Sequence, residues 1–222
     1  MYYQIQHVTA YRYSEPISES LMELRMQPRT EGPQRCWDFQ ARTTPRSRVT
    51  AHRDALGNTV HHFDIPGRHD QLTIAVDALV EMASVAPPPQ ALGSTAWEEL
   101  ARLAESDDEA WEMARPSRFA APTDALRAFA SAHGLVRLAD PLSTMHALSR
   151  AVHNGIAYVP RSTRVDSPID EALTRRQGVC QDFAHILISL ARDMGIPCRY
   201  VSGYLYHGSD GPPSVGADAT HL

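Results

Sequence analysis

A cysteine at the start of a predicted helix is the residue of this chain best suited to chemistry. Gly178 interrupts the segment before it, because glycine tolerates backbone conformations that other residues resist, and Cys180 then heads the helix. The free N–H groups at a helix start favour an anion, which populates the nucleophilic thiolate form of a cysteine. The alternative is a small hydrophobic cysteine that only fills a core. The placement of Cys180 alone leaves both interpretations open.

The helix that would carry Cys180 has one apolar face. Apolar residues recur at helical spacing after the cysteine, which predicts a buried stripe. Gly195 supplies a C-terminal stop, and Pro197 prevents continuation of the helix. The stripe consists of Phe183, Ile186, Leu187, Leu190, Ala191 and Met194.

Three motifs follow one another along the C-terminal part of the chain: GVCQDFAH around Cys180, then GIPCRYVSGY, then Ala219-Thr220-His221. Together they resemble the core of the bacterial transglutaminase-like cysteine enzymes, which are relatives of the papain-type proteases. The resemblance covers about residues 140 to 221 closely and the N-terminal region more loosely. It implies a papain-like core in which Cys180 is the nucleophile and His221 is the catalytic histidine.

Cys–His catalysis needs a thiolate, an imidazole within hydrogen-bond reach and a third group that orients the imidazole. The backbone N–H of Cys180 is a natural donor to the developing oxyanion. Gln181 and Asp182 lie in the first turn and are assigned to oxyanion or helix support, with Asp182 expected to stabilise the helix start rather than to do chemistry. Attack on a peptide or protein amide would give a thioester, which water or an amine then resolves. The sequence leaves hydrolysis and acyl transfer open, and a non-catalytic scaffold that binds peptides or proteins is the alternative.

Two other histidines compete with His221 for the role of base. His185 lies about 140° around the helix from Cys180 at ~100° per residue, too far to act as its base. The surroundings of His207 match no family motif. In the family, strands after the histidine supply a catalytic Asp, whereas this sequence ends at Leu222. We therefore expect the 222-residue form to be close to inactive on peptide amides. We also expect an exposed sheet edge, and hence a homo-oligomer or poor solubility.

Composition describes an ordinary soluble globular protein, with 43% hydrophobic and 21% charged residues. A formal charge of −5 gives no basic surface for nucleic acid. The N-terminus resembles no signal peptide, and no stretch approaches the ~20 apolar residues of a membrane span. Three cysteines do not suggest a disulfide framework, so we expect a cytoplasmic protein in a reducing compartment. All 21 basic residues are Arg, so the chain offers no lysine amine.

The elements that must position Cys180 predict an α+β protein. Residues 1–85 alternate like several short strands, with a hairpin at Leu56-Gly57-Asn58, and indicate a β-sandwich or open barrel. A Pro-rich linker spans residues 86–93, and residues 94–222 form the helix-rich catalytic core. Helix starts are expected near Thr95, Asp108, Thr123, Asp140 and Ser167, and a strand is expected over residues 198–207. We expect no cofactor or metal, because His61 and His62 point to opposite strand faces and the neighbouring His52 and His69 complete no ligand motif.

Overall fold

The computed structural model describes residues 1–205, together with the backbone of residues 220 and 221. The chain divides into two compact units, Met1–Pro87 and Pro88–Leu222. The strands are β1 Tyr2–Leu24, β2 Gln34–Thr44, β3 Thr50–Arg53, β4 Thr59–Met82, β5 Ala157–Tyr158, β6 Gln177–Gly178, β7 Gly203–Tyr204 and β8 Thr220–His221. The helices are α1 Ala96–Ser106, α2 Asp108–Met113, α3 Asp124–Ala132, α4 Pro141–Gly155, α5 Ile169–Arg175 and α6 Cys180–Asp193. The predicted α+β class, β-rich and then helical, is confirmed, while the linker over residues 86–93 stays a prediction.

The first unit contains one four-stranded antiparallel sheet in which β4 pairs with β1, β2 and β3. The predicted short strands merge into the long strands β1 and β4, because bulges stand where turns are expected. The β1–β4 register shifts between Arg12 and Glu19, and Gly67 on β4 has a φ of 99°. A bulge inserts residues into one strand and shifts which side chains share a face. The β4 members of one buried cluster accordingly lie at odd-numbered positions before this point, at Phe63 and Ile65, and at even-numbered positions after it, at Leu72, Ile74 and Val76.

The predicted hairpin at Gly57 joins β3 to β4, with Arg53 opposite Thr59. Asp54 organises this turn, since its Oδ1 accepts from the backbone N–H of Asn58 at 2.8 Å. Gly57 has a φ of 76°, the left-handed conformation that the turn requires. The residues of the turn therefore specify it locally, and this part of the prediction is confirmed.

The second unit is built around a cluster of buried residues from α3 to α6. Helix α6 contributes Ile186 and Leu190, which are almost completely buried, together with Ala191. The rest of its predicted apolar stripe, Phe183, Leu187 and Met194, packs against the same cluster. The stripe that follows Cys180 therefore anchors α6 in the core, and this prediction is confirmed.

Side chains cap several of these helices as the sequence predicts. Thr123 caps α3 by accepting from the N–H of Leu126 at 3.2 Å. Asp140 caps α4 by accepting from the N–H of Ser143 at 3.0 Å. Within the described residues, no helix is both long and apolar enough to span a bilayer.

The strand predicted over residues 198–207 is much shorter in the structure. Only β7, Gly203–Tyr204, forms a paired strand within the described part of this stretch, and it pairs antiparallel with β8. The carbonyl of Cys198 accepts from the guanidinium of Arg192 at 2.6 Å, so a side chain takes the place of a sheet partner. His207 lies outside the described residues.

Candidate active site

Cys180 is the first residue of α6, and its side chain is half-buried. The preceding residue, Val179, is extended, with a φ of −110° and a ψ of 177°, and forms the helix N-cap. The N–H of a residue at this position has no partner within its own helix. The structure therefore presents a thiol and a backbone donor together at the start of a buried helix.

Asp182 caps this helix start with a buried carboxylate. Its Oδ2 accepts from the backbone N–H of Val179 at 2.8 Å and from the hydroxyl of Thr163 at 2.5 Å. A valine side chain cannot accept a hydrogen bond, so only the carboxylate half of a capping box exists here. The side chain is 2% exposed. This arrangement fits the supporting role expected for Asp182, two residues from the thiol.

Gly178 is needed at its position for space rather than for an unusual φ. A Cβ added there would lie 3.0 Å from both Cβ and Oδ2 of Asp182. The conformational freedom predicted for this glycine is not used, because its φ lies outside the left-handed region. The close approach of the Asp182 side chain to the backbone of β6 is the physical reason for the glycine.

Gln181 connects α6 to the segment that follows β5. Its side-chain Nε2 donates to the carbonyl of Arg164 at 2.8 Å. The N–H of Val159 donates to the carbonyl of Gly178 at 3.0 Å. Residues 159–164 are thus bonded to the chain on both sides of Cys180. This contact is compatible with the support expected from Gln181, and its role in oxyanion or helix support stays a prediction.

A stack of rings lies beside the thiol. His185 lies between Phe119 and Tyr200, with centroid distances of 5.4 Å and 4.9 Å. Burial lowers the pKa of His185, although the charge of nearby Asp182 opposes this shift. Burial also raises the pKa of Tyr200 to about 12, and the charge of Cys180 adds to that shift. The imidazole of His185 is therefore held among aromatic rings, in keeping with its exclusion as the base.

The other two cysteines lie in less favourable surroundings for a thiolate. Burial, followed by the charge of Asp38, raises the pKa of the Cys36 thiol. Burial raises the pKa of the Cys198 thiol, and nearby Arg192 only partly offsets this. All three cysteines are free thiols, and Cys180 alone among them heads a helix.

His221 belongs to β8, where it lies opposite Gly203 of β7. The strand that carries it therefore pairs with β7, the first strand after α6. Its side chain lies outside the described residues, so the pairing of His221 with Cys180 stays a prediction. Thr163 and Phe119 could not be found from sequence, because each reaches the site through a contact distant in sequence and without a motif. Tyr200 lies within GIPCRYVSGY but was assigned no role.

His61, His62 and His69 of the first unit each contact a different side chain, and the ring of His52 lies 5.7 Å from that of His62. His61 packs on Phe39 at 4.6 Å between ring centroids, and His62 bonds to the hydroxyl of Thr50 at 2.8 Å. His69 bonds to the buried hydroxyl of Ser20 at 2.8 Å. Across the described part of the chain, no group of three or more His, Cys, Asp or Glu side chains is placed to hold a metal ion.

Comparison with known families and proteins agrees with this architecture. Residues 3–81 match the bacterial transglutaminase-like N-terminal region, and residues 130–222 match the core of the transglutaminase-like superfamily. An uncharacterized protein of Mycobacterium leprae is 32% identical over 93% of this chain and 72% of its own length. A second uncharacterized protein, from Mycobacterium tuberculosis, is 32% identical over 99% of this chain and 71% of its own length. The chain belongs to the transglutaminase-like superfamily.

The transglutaminase-like fold is also seen in a solved structure. The crystal structure of a candidate cysteine protease from Cytophaga hutchinsonii superimposes with a TM-score of 0.70 at 18% identity. The match covers 93% of this chain and 70% of the other. The N-terminal family region coincides with the four-stranded sheet, and the superfamily core contains α4, α5 and α6. Cys180 and the residues that hold its helix therefore lie in the superfamily core.

Proposed function

We propose that this transglutaminase-like protein is a cysteine enzyme that acts on peptide or protein amide bonds through a thioester on Cys180. The observation that carries the proposal is that Cys180 is the first residue of α6. Asp182 caps this helix, and Ile186 and Leu190 anchor it in the core. Helix starts of this kind favour a thiolate. The raised pKa values of Cys36 and Cys198 leave Cys180 as the thiol suited to attack.

In the proposed reaction, the thiolate of Cys180 attacks the carbonyl carbon of an amide. The backbone N–H of Cys180 donates to the oxyanion that forms. The C–N bond then breaks, and the nitrogen leaves after it takes a proton from the imidazolium of His221. Water or an amine next attacks the thioester carbon, loses a proton to the imidazole of His221, and releases the thiolate.

The test is to trap the thioester. The protein is mixed with a peptide that contains glutamine and with a peptide anilide, quenched in acid, and analysed by intact-mass and peptide-mapping mass spectrometry. Trapping needs a single acylation rather than fast turnover, so we expect an acyl adduct on Cys180 even in a form with little steady-state activity, and none in Cys180→Ala. Cys36→Ala is the matched control that keeps the adduct. Peptide binding without any adduct would instead support a non-catalytic scaffold and would contradict the proposal.

The acyl acceptor is determined in the same experiment by adding a fluorescent primary amine. Because the chain contains no lysine, labelling of an added protein substrate is not confused with cross-linking to lysine side chains of this protein. Amine incorporation indicates acyl transfer, and release of free carboxylate indicates hydrolysis. A reducing, cytoplasmic setting suits either reaction, because the three cysteines are free thiols.

A further inference from the structure

We propose that Thr163 is a positioning residue for the nucleophile, holding the Asp182 cap in place through its hydroxyl group. This inference rests on the proposed function, because it assigns a role within the Cys180 site. Thr163 lies in the segment between β5 and α5, distant from Cys180 in sequence, and it belongs to none of the motifs around the cysteine.

The carboxylate of Asp182 depends on two donors at a single oxygen. Oδ2 accepts from the N–H of Val179 at 2.8 Å and from the hydroxyl of Thr163 at 2.5 Å. Asp182 is 2% exposed, so water cannot replace a lost donor. Without the Thr163 hydroxyl, its buried carboxylate oxygen lacks one of its two hydrogen-bond donors. The hydroxyl of Thr163 thereby stabilises the rotamer in which Asp182 caps α6.

The segment around Thr163 is held on both sides of that residue. The carbonyl of Ser162 accepts from the guanidinium of Arg175 at 3.1 Å, and the carbonyl of Arg164 accepts from Nε2 of Gln181 at 2.8 Å. The side chains of α5 and α6 therefore fix the backbone on either side of Thr163. These bonds direct its hydroxyl at Asp182, so the hydrogen bond is a built feature of the fold.

Removal of the Thr163 hydroxyl has two effects on the thiol of Cys180, and both disfavour its thiolate form. The negative charge of Asp182, two residues from Cys180, loses a compensating donor and disfavours a second negative charge nearby. The N-cap bond to Val179 also loosens, which weakens the alignment of N–H groups that favours a thiolate. The thiolate of Cys180 therefore becomes harder to form when the hydroxyl is lost.

The test compares Thr163→Val, which keeps the shape of the side chain, with Thr163→Ser, which keeps the hydroxyl. The rate of alkylation of Cys180 by iodoacetamide is measured from pH 5 to pH 10 by peptide mapping. We expect the Thr163→Val profile to move to higher pH and its rate at pH 6 to fall about three- to tenfold, the scale of a lost charge-assisted cap bond. The Thr163→Ser profile should overlay that of the wild type.

Thr123→Val provides a matched control within the same unit. Thr123 donates to Oδ1 of Asp170 at 2.5 Å, a bond of the same chemistry that connects α3 to α5 and involves no residue of the Cys180 helix start. Its alkylation profile should overlay the wild type after folding is verified by circular dichroism. A Thr163→Val profile equal to the wild type, or an equal shift in Thr123→Val, would overturn the proposal.

Two further variants keep the test decisive. Thr163→Ala replaces Thr163→Val if the valine variant does not fold, with the same expected result. In an Asp182→Ala background, which removes both the charge and the acceptor oxygen, Thr163→Val should no longer shift the profile; a persisting shift contradicts the proposal. Iodoacetamide modifies any accessible thiol, so absence of a trapped thioester would contradict the proposed enzyme function without affecting this comparison.

Discussion

At the level of single residues, the site depends on how closely Asp182 packs against its neighbours. Its carboxylate is bonded to Val179 and Thr163, and its Cβ leaves no room for a side chain at Gly178. The motif around Cys180 therefore combines a nucleophile with the residues that build its helix start. Substitutions around the cysteine consequently affect stability and reactivity by different routes, and the two must be measured separately.

The first prediction compares the three thiols. Burial raises the pKa of both Cys36 and Cys198, whereas Cys180 lies at a helix start. At pH 6.5, limiting iodoacetamide should modify Cys180 first, as read by peptide mapping of the folded protein. Labelling in 6 M guanidinium is the control, in which the three thiols should react alike. Equal labelling of the three thiols in the folded protein would contradict the assignment of Cys180.

The second prediction concerns Gly178. An added methyl group would meet Cβ and Oδ2 of Asp182 at 3.0 Å, and the buried carboxylate has little space into which to move. Gly178→Ala should lower the free energy of unfolding by about 1–3 kcal/mol, the usual cost of overpacking. Gly93→Ala is the control, because a Cβ there meets no atom within 4 Å. Denaturation in urea measures both, and equal stability of the two variants would show that Asp182 moves aside freely.

At the level of elements, α6 could be predicted because the residues that define it lie within the helix or next to it. Its apolar stripe, its start after Gly178 and its end at Gly195 are specified by residues within the helix, and the structure places them as expected. The caps at Thr123 and Asp140 are equally local. Element boundaries of this type follow from side chains within one or two turns, which a sequence shows directly.

The long strands and the loop contacts could not be obtained in the same way. The merging of segments into β1 and β4 depends on bulges that become visible only when the register of the two strands is known. The contact between Thr163 and Asp182 and the stack of Phe119 on His185 join residues distant in sequence. Neither contact follows from a periodic pattern or a motif, so the sequence indicated the candidate nucleophile and the support from Asp182 but not Thr163 or Phe119.

The third prediction tests how α6 is anchored. Leu190 is 1% exposed within the core cluster, whereas Leu187, on the same helix, packs only at its margin. Leu190→Ala should reduce the free energy of unfolding by about 2–5 kcal/mol, because it removes buried methyl groups and leaves a cavity. Leu187→Ala is the matched control and should cost clearly less. Urea denaturation monitored by far-UV circular dichroism distinguishes them, and equal losses would mean that the core does not converge on Leu190.

At the level of the whole molecule, each compact unit has its own buried cluster and its own partly buried histidine. The first unit contains His61 against Phe39, and the second contains His185 between Phe119 and Tyr200. Burial is the main cause that lowers the pKa of each imidazole below its ordinary value of 6.5. A single physical effect, burial of an imidazole, therefore predicts acid sensitivity in both units.

The last prediction follows from the sign of these shifts. A histidine with a lowered pKa stays neutral in the folded state, while its unfolded counterpart takes up a proton as the pH falls below 6.5. The unfolded state then binds more protons, so the free energy of unfolding should fall as the pH is lowered from about 6.5. Carboxylates with lowered pKa values, such as Asp140, contribute only at lower pH, near and below their ordinary value of 3.8.

Thermal unfolding of His61→Gln and His185→Gln between pH 7.5 and pH 5 measures this effect. Each variant should lose less stability over that range than the wild type, because one proton-uptake site of the unfolded state is removed without a matching site in the folded state. His153→Gln, which replaces an exposed histidine on α4, controls for the loss of an imidazole alone. If both buried-histidine variants kept the wild-type pH dependence, burial of His61 and His185 would not be the source of the acid sensitivity, and the carboxylates would have to account for it at lower pH.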